Sequence, residues 1–362
     1  MKVALAHEYF SARGGAEAVV DIFHTMWPDA SVYTFFHDRE RYGPLEGWRI
    51  VASSLQSFPI GGGRHRLLLP LYPSAARRLR VPDDVDVVLV STSAFIKGIG
   101  LGERTVEIAY CHSPTRYLWD WSEQYLHEEV PALLHGPVRE LLARLRETDR
   151  DMATRVDRWI ANSNAVARRI REYYGRDSEV VQPPIDVDAY DADAERGDHW
   201  LFIGRLSAYK RADVAVRAFA KSGRRLIVVG EGREREALEK LASQNVAFTG
   251  RVDEATKREL LASARGLVFP AEDDFGIVCV EALAAGAPVV ALNAGGAAEI
   301  VREGLDGMLV DQPDAAQVEA AVAQVESTRW DPRALRESAR RFDLPRFRDR
   351  ILAIVAGARR SG

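Results

Sequence analysis

Three carboxylates in a row, Glu272, Asp273 and Asp274, stand before Phe275-Gly276, and Glu281 follows eight positions after Asp273 in a run of apolar and small residues. By the ~1.5 Å helical rise per residue, Asp273 and Glu281 stand roughly 12 Å apart. They are then too far apart to share a proton, yet they can accept hydroxyls from opposite ends of one elongated ligand. The N–H groups of Phe275, Gly276 and Ile277, where the helical pattern begins, suit a phosphate or a sugar hydroxyl. Upstream, Arg205 and Lys210 lie five apart around a turn that opens the helical stretch "DVAVRAF". Two cations beside a helix N-terminus make an anion site, and an Arg with a Lys suits a diphosphate better than a carboxylate. Acid, cation pair, acid matches a sugar nucleotide, which has hydroxyls at both ends and a diphosphate between. The plainer alternatives are a solvated basic turn and acids serving as helix caps. Caps account for Asp274 but not for an acid inside an alanine-rich helix.

The elements that must position these groups alternate between short apolar runs and amphipathic helices. "KVALAH" (2–7), "DVVLVST" (86–92), "VEIAYCH" (106–112), "RWIANS" (158–163) and "EVVQPP" (179–184) read as strands covered on both faces. Between them, the stretch 137–156 sets Val138, Leu141, Leu142 and Leu145 on one helical face. The pattern then restarts with "HWLFIGRL" (199–206), "RLIVVGEG" (225–232), "VAFTGRV" (246–252), "GLVFPA" (266–271), "PVVALN" (288–293) and "GMLVD" (307–311). Alternation of this kind predicts an α/β protein with two parallel sheets. The expected domains are 1–184 and 199–345, joined by a Pro- and Asp-rich connection at 185–198 and followed by a C-terminal helix at 346–362. Ligands of such sheets collect at strand C-termini, here in a cleft between the two domains.

Length and composition bound the function. A chain of 362 residues suits two domains. The net charge of −4 argues against a general nucleic-acid binder. Two widely separated cysteines, Cys111 and Cys279, have no metal-ligand spacing and predict a reducing, cytoplasmic setting. No run reaches the ~18 apolar residues of a membrane span, which leaves a soluble or surface-attached protein.

Several further segments end strands. Gly230 and Gly232 resemble part of a dinucleotide fingerprint, but the third glycine and the following acid are missing, so a tight turn is expected. "FTGRV" offers the backbone of Arg251 and Val252 where a nucleotide base can lie. Gly14-Gly15 open a helix and permit close approach to a phosphate or acceptor group. His112 ends a strand on the ligand side, with Arg116 just beyond.

In order and at strand ends, "GRL" with Lys210, the acid-x7-Glu element and "GG" before Glu299 resemble the donor-site signature of the retaining glycosyltransferases of family 4. The resemblance implies two facing Rossmann-like domains of the GT-B type with an interdomain cleft, the N-terminal one on the acceptor side. It also implies roles. Glu281 would hold the donor ribose, Arg205 and Lys210 the diphosphate, Asp273 the transferred hexose, and His112 would contact that hexose. The family usually has Glu at the first acid position, where this chain has Asp273, and the neighbouring Glu272 is the alternative. "STSAFIKG" and "HSPTRYLWD" look like a bacterial subgroup of mannosyltransferases that build O-antigen or exopolysaccharide units. The implied activity is hexose transfer, most naturally mannose from GDP-mannose, to a lipid-linked or other saccharide at the inner membrane face, with the nucleotide sugar as substrate and no cofactor. A sugar-nucleotide epimerase of the same fold, a nicotinamide oxidoreductase and a non-catalytic sugar-nucleotide-binding protein are the rivals.

Two segments remain. "DVD" at 186–188 mimics an Asp-x-Asp metal site but falls in the connection, where no metal is expected. Residues 51–82 contain no acid and carry Arg64, His65, Arg66, Arg77, Arg78 and Arg80. They predict either a solvated basic edge on a buried helix or a patch for anionic lipid head groups.

Overall fold

A computed structural model describes residues 1–58 and 68–358. The chain divides into two compact units, residues 1–181 with 348–362, and residues 182–347.

The first unit holds a seven-stranded sheet in the order β3-β2-β1-β4-β5-β6-β7. Its strands are β1 (Val3–His7), β2 (Ser31–Thr34), β3 (Arg49–Ala52), β4 (Val87–Thr92), β5 (Val106–Cys111), β6 (Arg158–Ala161) and β7 (Glu179–Val180). Every pairing is parallel. All residues of β1, β4 and β5 are buried, as helices on both sheet faces require. Two strands were not expected from sequence. β2 is only four residues long, and β3 is an edge strand whose residues alternate between exposed and half-buried. β7 keeps only two of the six residues expected of it. The helix His135–Arg155 buries Leu142 and Leu145 and packs Val138 and Leu141 against the same core, the face that the sequence pattern marks.

The second unit repeats the design with six parallel strands in the order β10-β9-β8-β11-β12-β13. They are β8 (His199–Ile203), β9 (Arg225–Val229), β10 (Val246–Gly250), β11 (Gly266–Phe269), β12 (Val289–Leu292) and β13 (Gly307–Val310). The helix Ile277–Ala284 lies in the core, with Ala282, Ala284 and Ala285 wholly buried; their small side chains let it sit close to the sheet. The stretch 185–198 is not a free connection. Ile185, Val187 and Tyr190 enter the second unit's core, and Ile185 N donates to Phe342 O at 3.0 Å. The end of the helix Leu344–Ala356 belongs to the first unit, where Arg158 donates to Gly357 O at 2.7 Å and Arg348 to Thr25 Oγ1 at 3.2 Å.

Both sheets reverse their strand order once, between β1 and β4 in the first unit and between β8 and β11 in the second. Chains leave a parallel sheet in opposite directions at such a point, which opens a crevice beyond the strand ends.

Candidate functional site

In the second unit the expected donor residues gather at that reversal. After β8 the chain turns through Arg205 and the short helix Ala208–Lys210, and Arg211 then takes φ 51°. Arg211 is the one non-glycine residue with positive φ among the described residues, and such strain is concentrated at functional turns. After β11 the chain passes through Glu272, Asp273 and Asp274. The Lys210 Nζ meets Asp273 Oδ2 in a short ion pair, with side chains 14% and 21% exposed. Burial pulls the Lys210 ammonium down, but Asp273, then Tyr209 and Asp274, outweigh it and hold it above the ordinary lysine value. Arg205 is exposed and has no ion-pair partner among the described residues. The expected cation pair is therefore unequal. Lys210 is tethered to the very acid assigned to the hexose, and Arg205 stands apart.

The glycine pair of the third loop explains itself at this point. Gly296 N donates to Asp273 O at 2.9 Å. A Cβ on Gly295 would sit 2.2 Å from Asp273 O, and one on Gly296 would sit 2.3 Å from Phe275 Cα. Only glycine lets the exit of β12 press against the acidic loop and fix Asp273 in place. Gly276, with φ 88°, occupies the position before the helix Ile277–Ala284, and no side chain caps it. Phe275 instead anchors the loop by burial, edge-on to Phe342 at 5.7 Å.

Glu281 is 7% exposed and already paired. Lys257 Nζ donates to its Oε1 at 2.8 Å and meets Glu254 at 2.8 Å, while the buried Tyr190 phenol lies near enough to feel the Glu281 charge. Burial lowers the Lys257 ammonium, and Glu281 and Glu254 more than restore it above its usual value. Burial, then Glu281, pushes the Tyr190 phenol well up. Lys257 is thus the partner that an acid in an alanine-rich helix required. Of the remaining donor-side residues, Arg251 is exposed and Val252 packs on the core below the end of β10.

At the matching reversal the first unit builds a hydrogen-bond chain rather than a lysine–carboxylate pair. The β1–β4 register sets His7 beside Ser91. His112 Nε2 lies 2.7 Å from Ser91 Oγ, which lies 3.0 Å from His7 Nδ1, and His7 Nε2 lies 3.4 Å from Glu17 Oε1. An ionised carboxylate only accepts, so with both rings neutral the chain has one polarity. His7 donates Nε2–H to Glu17, Ser91 donates to His7 Nδ1, and His112 donates Nε2–H to Ser91. That leaves Nδ1 of His112 as an acceptor for a ligand hydroxyl. Burial, then the nearby His7, pushes His112 down to about 3, so its ring is neutral. Asn162 Nδ2 donates to His112 O at 2.8 Å and fixes the backbone. Glu17 sits in the first turn of the helix Gly15–Met26, opened by Gly14-Gly15. Gly14 is extended at φ −157°, and a Cβ there would press on Glu17 Oε2 at 3.0 Å, whereas a Cβ on Gly15 would meet nothing within 4 Å. Gly14 thus leaves room for the Glu17 carboxylate without needing a special backbone angle.

The two remaining segments have visible jobs. Asp186 caps the turn Val187–Ala189, and Asp188 accepts from Arg336 and Arg340 at 2.8 Å each. In the basic stretch, the helix Tyr72–Arg78 buries Tyr72, Pro73, Ala75 and Ala76 and leaves Arg77, Arg78 and the following Arg80 exposed. Arg64, His65 and Arg66 lie outside the described residues. No described helix is long and apolar enough to cross a membrane. Cys111 and Cys279 are buried free thiols.

Family comparison agrees with these two crevices. Residues 13–189 match the model for Glycosyltransferase Family 4, and residues 193–342 match that for glycosyl transferases group 1. Two glycosyltransferase models thus match consecutive stretches of the chain. The chain is 34% identical over 231 residues to a D-inositol 3-phosphate glycosyltransferase of Nocardiopsis dassonvillei, covering 53% of this chain and 54% of that one. The chain spans about half the length of the curated relatives it matches. Anabaena HepE in complex with UDP aligns with a TM-score of 0.70 at 19% identity, over 99% of this chain and 100% of that one. WaaG, a glycosyltransferase involved in lipopolysaccharide biosynthesis, aligns with a TM-score of 0.69 at 18% identity, over 98% and 100%. At those identities the GT-B likeness concerns the fold, and the expectation of two parallel-sheet α/β domains holds. The matched relative is named for inositol 3-phosphate and not for mannose, so the narrower mannosyltransferase resemblance is not what these matches carry.

Proposed function

We propose that the protein is a retaining glycosyltransferase that takes a hexose from a nucleotide-diphosphate sugar and passes it to a saccharide or lipid-linked acceptor. The observation that carries this is the Lys210–Asp273 pair at the strand-order reversal of the second sheet, backed by Gly295-Gly296. A diphosphate entering there replaces one anion on Lys210 with another, and Arg205, exposed on the same turn after β8, adds a second charge. Asp273, released from Lys210, is then the acceptor for a hexose hydroxyl, and Glu281, steadied by Lys257, for the ribose. His112 offers its neutral Nδ1 to another hexose hydroxyl. The acceptor oxygen bonds to C1 as the C1–O bond to the diphosphate breaks on the same face. The acceptor's proton passes to the leaving diphosphate oxygen. The chain's contribution is positioning and stabilisation of charge on the leaving group. Lys210 and Arg205 serve that charge without a metal, so turnover is expected to persist with EDTA.

Within this class we infer GDP-mannose as the donor, supported by the subgroup resemblance of residues 91–98 and 112–120. The complex of Anabaena HepE with UDP favours a uridine nucleotide as the second reading. A thermal-shift series of GDP, UDP and ADP sugars separates them, since a ligand that binds only the native state raises Tm. The account expects GDP-mannose to give the largest rise; a larger rise with a UDP sugar replaces the base and sugar assignment, and no rise with any of them removes the transferase reading. Exposed Arg77, Arg78 and Arg80 suit an anionic membrane surface near a lipid-linked acceptor. Salt-sensitive binding to anionic vesicles, absent with neutral ones, is the corresponding test.

A further inference from the structure

The first unit contains a cavity of about 360 Å³ whose lining includes Ser113, the residue after His112. That volume falls in the range of small-molecule sites. Tyr72, Tyr117, Trp121 and Tyr125 line it, with Tyr117 and Tyr125 inclined to one another at 5.7 Å. Glu8, the residue that follows β1, forms part of the same wall and is 6% exposed. Its two oxygens are treated very differently. Oε1 accepts from Thr92 Oγ1 at 2.9 Å, Ser93 N at 3.2 Å, Ala94 N at 2.7 Å and Ile96 N at 3.4 Å. No described residue donates to Oε2. Burial raises the Glu8 carboxyl, and Lys97 beneath it, itself bonded to buried Asp149 at 2.5 Å, opposes that rise.

Each class of occupant meets this wall differently. A purely apolar chain would leave a buried carboxylate oxygen without a donor, which is unfavourable. An anionic group would face Glu8, Glu128 and Glu129. The one cation among the described lining residues, Arg116, lies 3.3 Å from Asp120. A neutral sugar ring fits both features: its C–H faces lie on aromatic rings and its hydroxyls donate to carboxylates. Ser93, Ala94 and Phe95, and then Ser113, Pro114 and Tyr117, come from the two segments that carry the subgroup resemblance.

We propose that this cavity binds a neutral saccharide ring of the acceptor, with one ring hydroxyl donating to Oε2 of Glu8. The proposal rests on the transferase reading for the word acceptor, but its binding claim stands alone. Glu8→Gln is the informative variant, because the amide oxygen can keep the four donors while the amide nitrogen turns the Oε2 acceptor into a donor. Trp121→Ala, at the half-buried part of the wall, removes a ring without touching that network.

The test is saturation-transfer NMR and calorimetry on the full chain. The probes are the methyl α-glycosides of mannose, glucose and galactose, with inositol 3-phosphate as the anionic probe and GDP and UDP as nucleotides. At least one neutral glycoside is expected to bind in the millimolar range and to weaken about tenfold or more in Glu8→Gln and in Trp121→Ala. Nucleotide binding is expected to be unchanged in both variants. No binding by any neutral glycoside, equal binding by both variants, or competition of inositol 3-phosphate for the same place would overturn the proposal. Loss of nucleotide binding by the wild type, with glycoside binding intact, would instead remove the transferase reading and leave the cavity assignment standing.

Discussion

The two units place their functional side chains at the same topological position but hold them by opposite electrostatic means. In the first, a hydrogen-bond chain runs from the Glu17 carboxylate through His7 and Ser91 to the neutral ring of His112. In the second, ion pairs do the positioning, Lys210 with Asp273 and Lys257 with Glu281. The contrast follows the chemistry proposed for each side. A sugar hydroxyl is recognised by an oriented, uncharged acceptor whose direction is set in advance, whereas a diphosphate needs mobile positive charge that can exchange one anion for another. A parallel sheet supplies the location, and the residues following each strand decide what kind of group is held there.

The largest expected effect is on the charged side. Lys257→Met leaves Glu281 buried without its cation and should destabilise the fold by about 3 kcal/mol, the lower end for a broken buried pair because Lys257 keeps some exposure. Glu281→Gln keeps the shape and should cost less stability. It should also weaken nucleotide binding by about 1–3 kcal/mol if the acid holds the ribose. Urea unfolding and calorimetry on both variants check this. Lost stability with unchanged nucleotide affinity would make Glu281 a structural ion pair only.

A smaller effect sharpens the neutral side. Ser91→Ala breaks the chain to His112 and should change the tautomer read from its ¹⁵N shifts, raising KM for the donor more than it alters the fold. The wild-type ring should show no titration between pH 5 and 8. Folding selects the neutral ring, so the unfolded chain takes up the extra proton first. This contribution is complete above about 6.5 and erodes as the pH falls toward about 3. His112→Gln should flatten that part of the stability profile; an unchanged slope would show that His112 is not held neutral by burial.

How much of this was legible in the sequence follows from range. Eleven strands announce themselves as apolar runs, and the small residues of 282–286 state that a helix packs close. β2 and β3 do not announce themselves, because strands of four residues at or next to a sheet edge carry too little pattern. Asp273, Glu281 and the glycine pair were visible by type and spacing along one stretch of chain, and Lys210 by its spacing from Arg205. Their partners were not. Lys257 lies 24 residues from Glu281, and Ser91 lies 84 residues from His7. Those pairs exist only once helix packing and strand register are known. Glu8 was equally silent, since an acid after a strand looks like any turn residue until four donors are seen on one of its oxygens.

The central claim is that Lys210 exchanges Asp273 for a diphosphate, and calorimetric binding of bare GDP and UDP to Lys210→Met, Asp273→Asn and the double variant tests it most directly. The account predicts a loss of about 1.5–3 kcal/mol in Lys210→Met, the value of a charged hydrogen bond. It predicts equal or tighter binding in Asp273→Asn, because the competing carboxylate is gone while the sugar it would grip is absent from the probe. In the double variant the Asp273 change should bring no benefit. Wild-type affinity in Lys210→Met, or a loss in Asp273→Asn as large as that in Lys210→Met, would contradict the exchange.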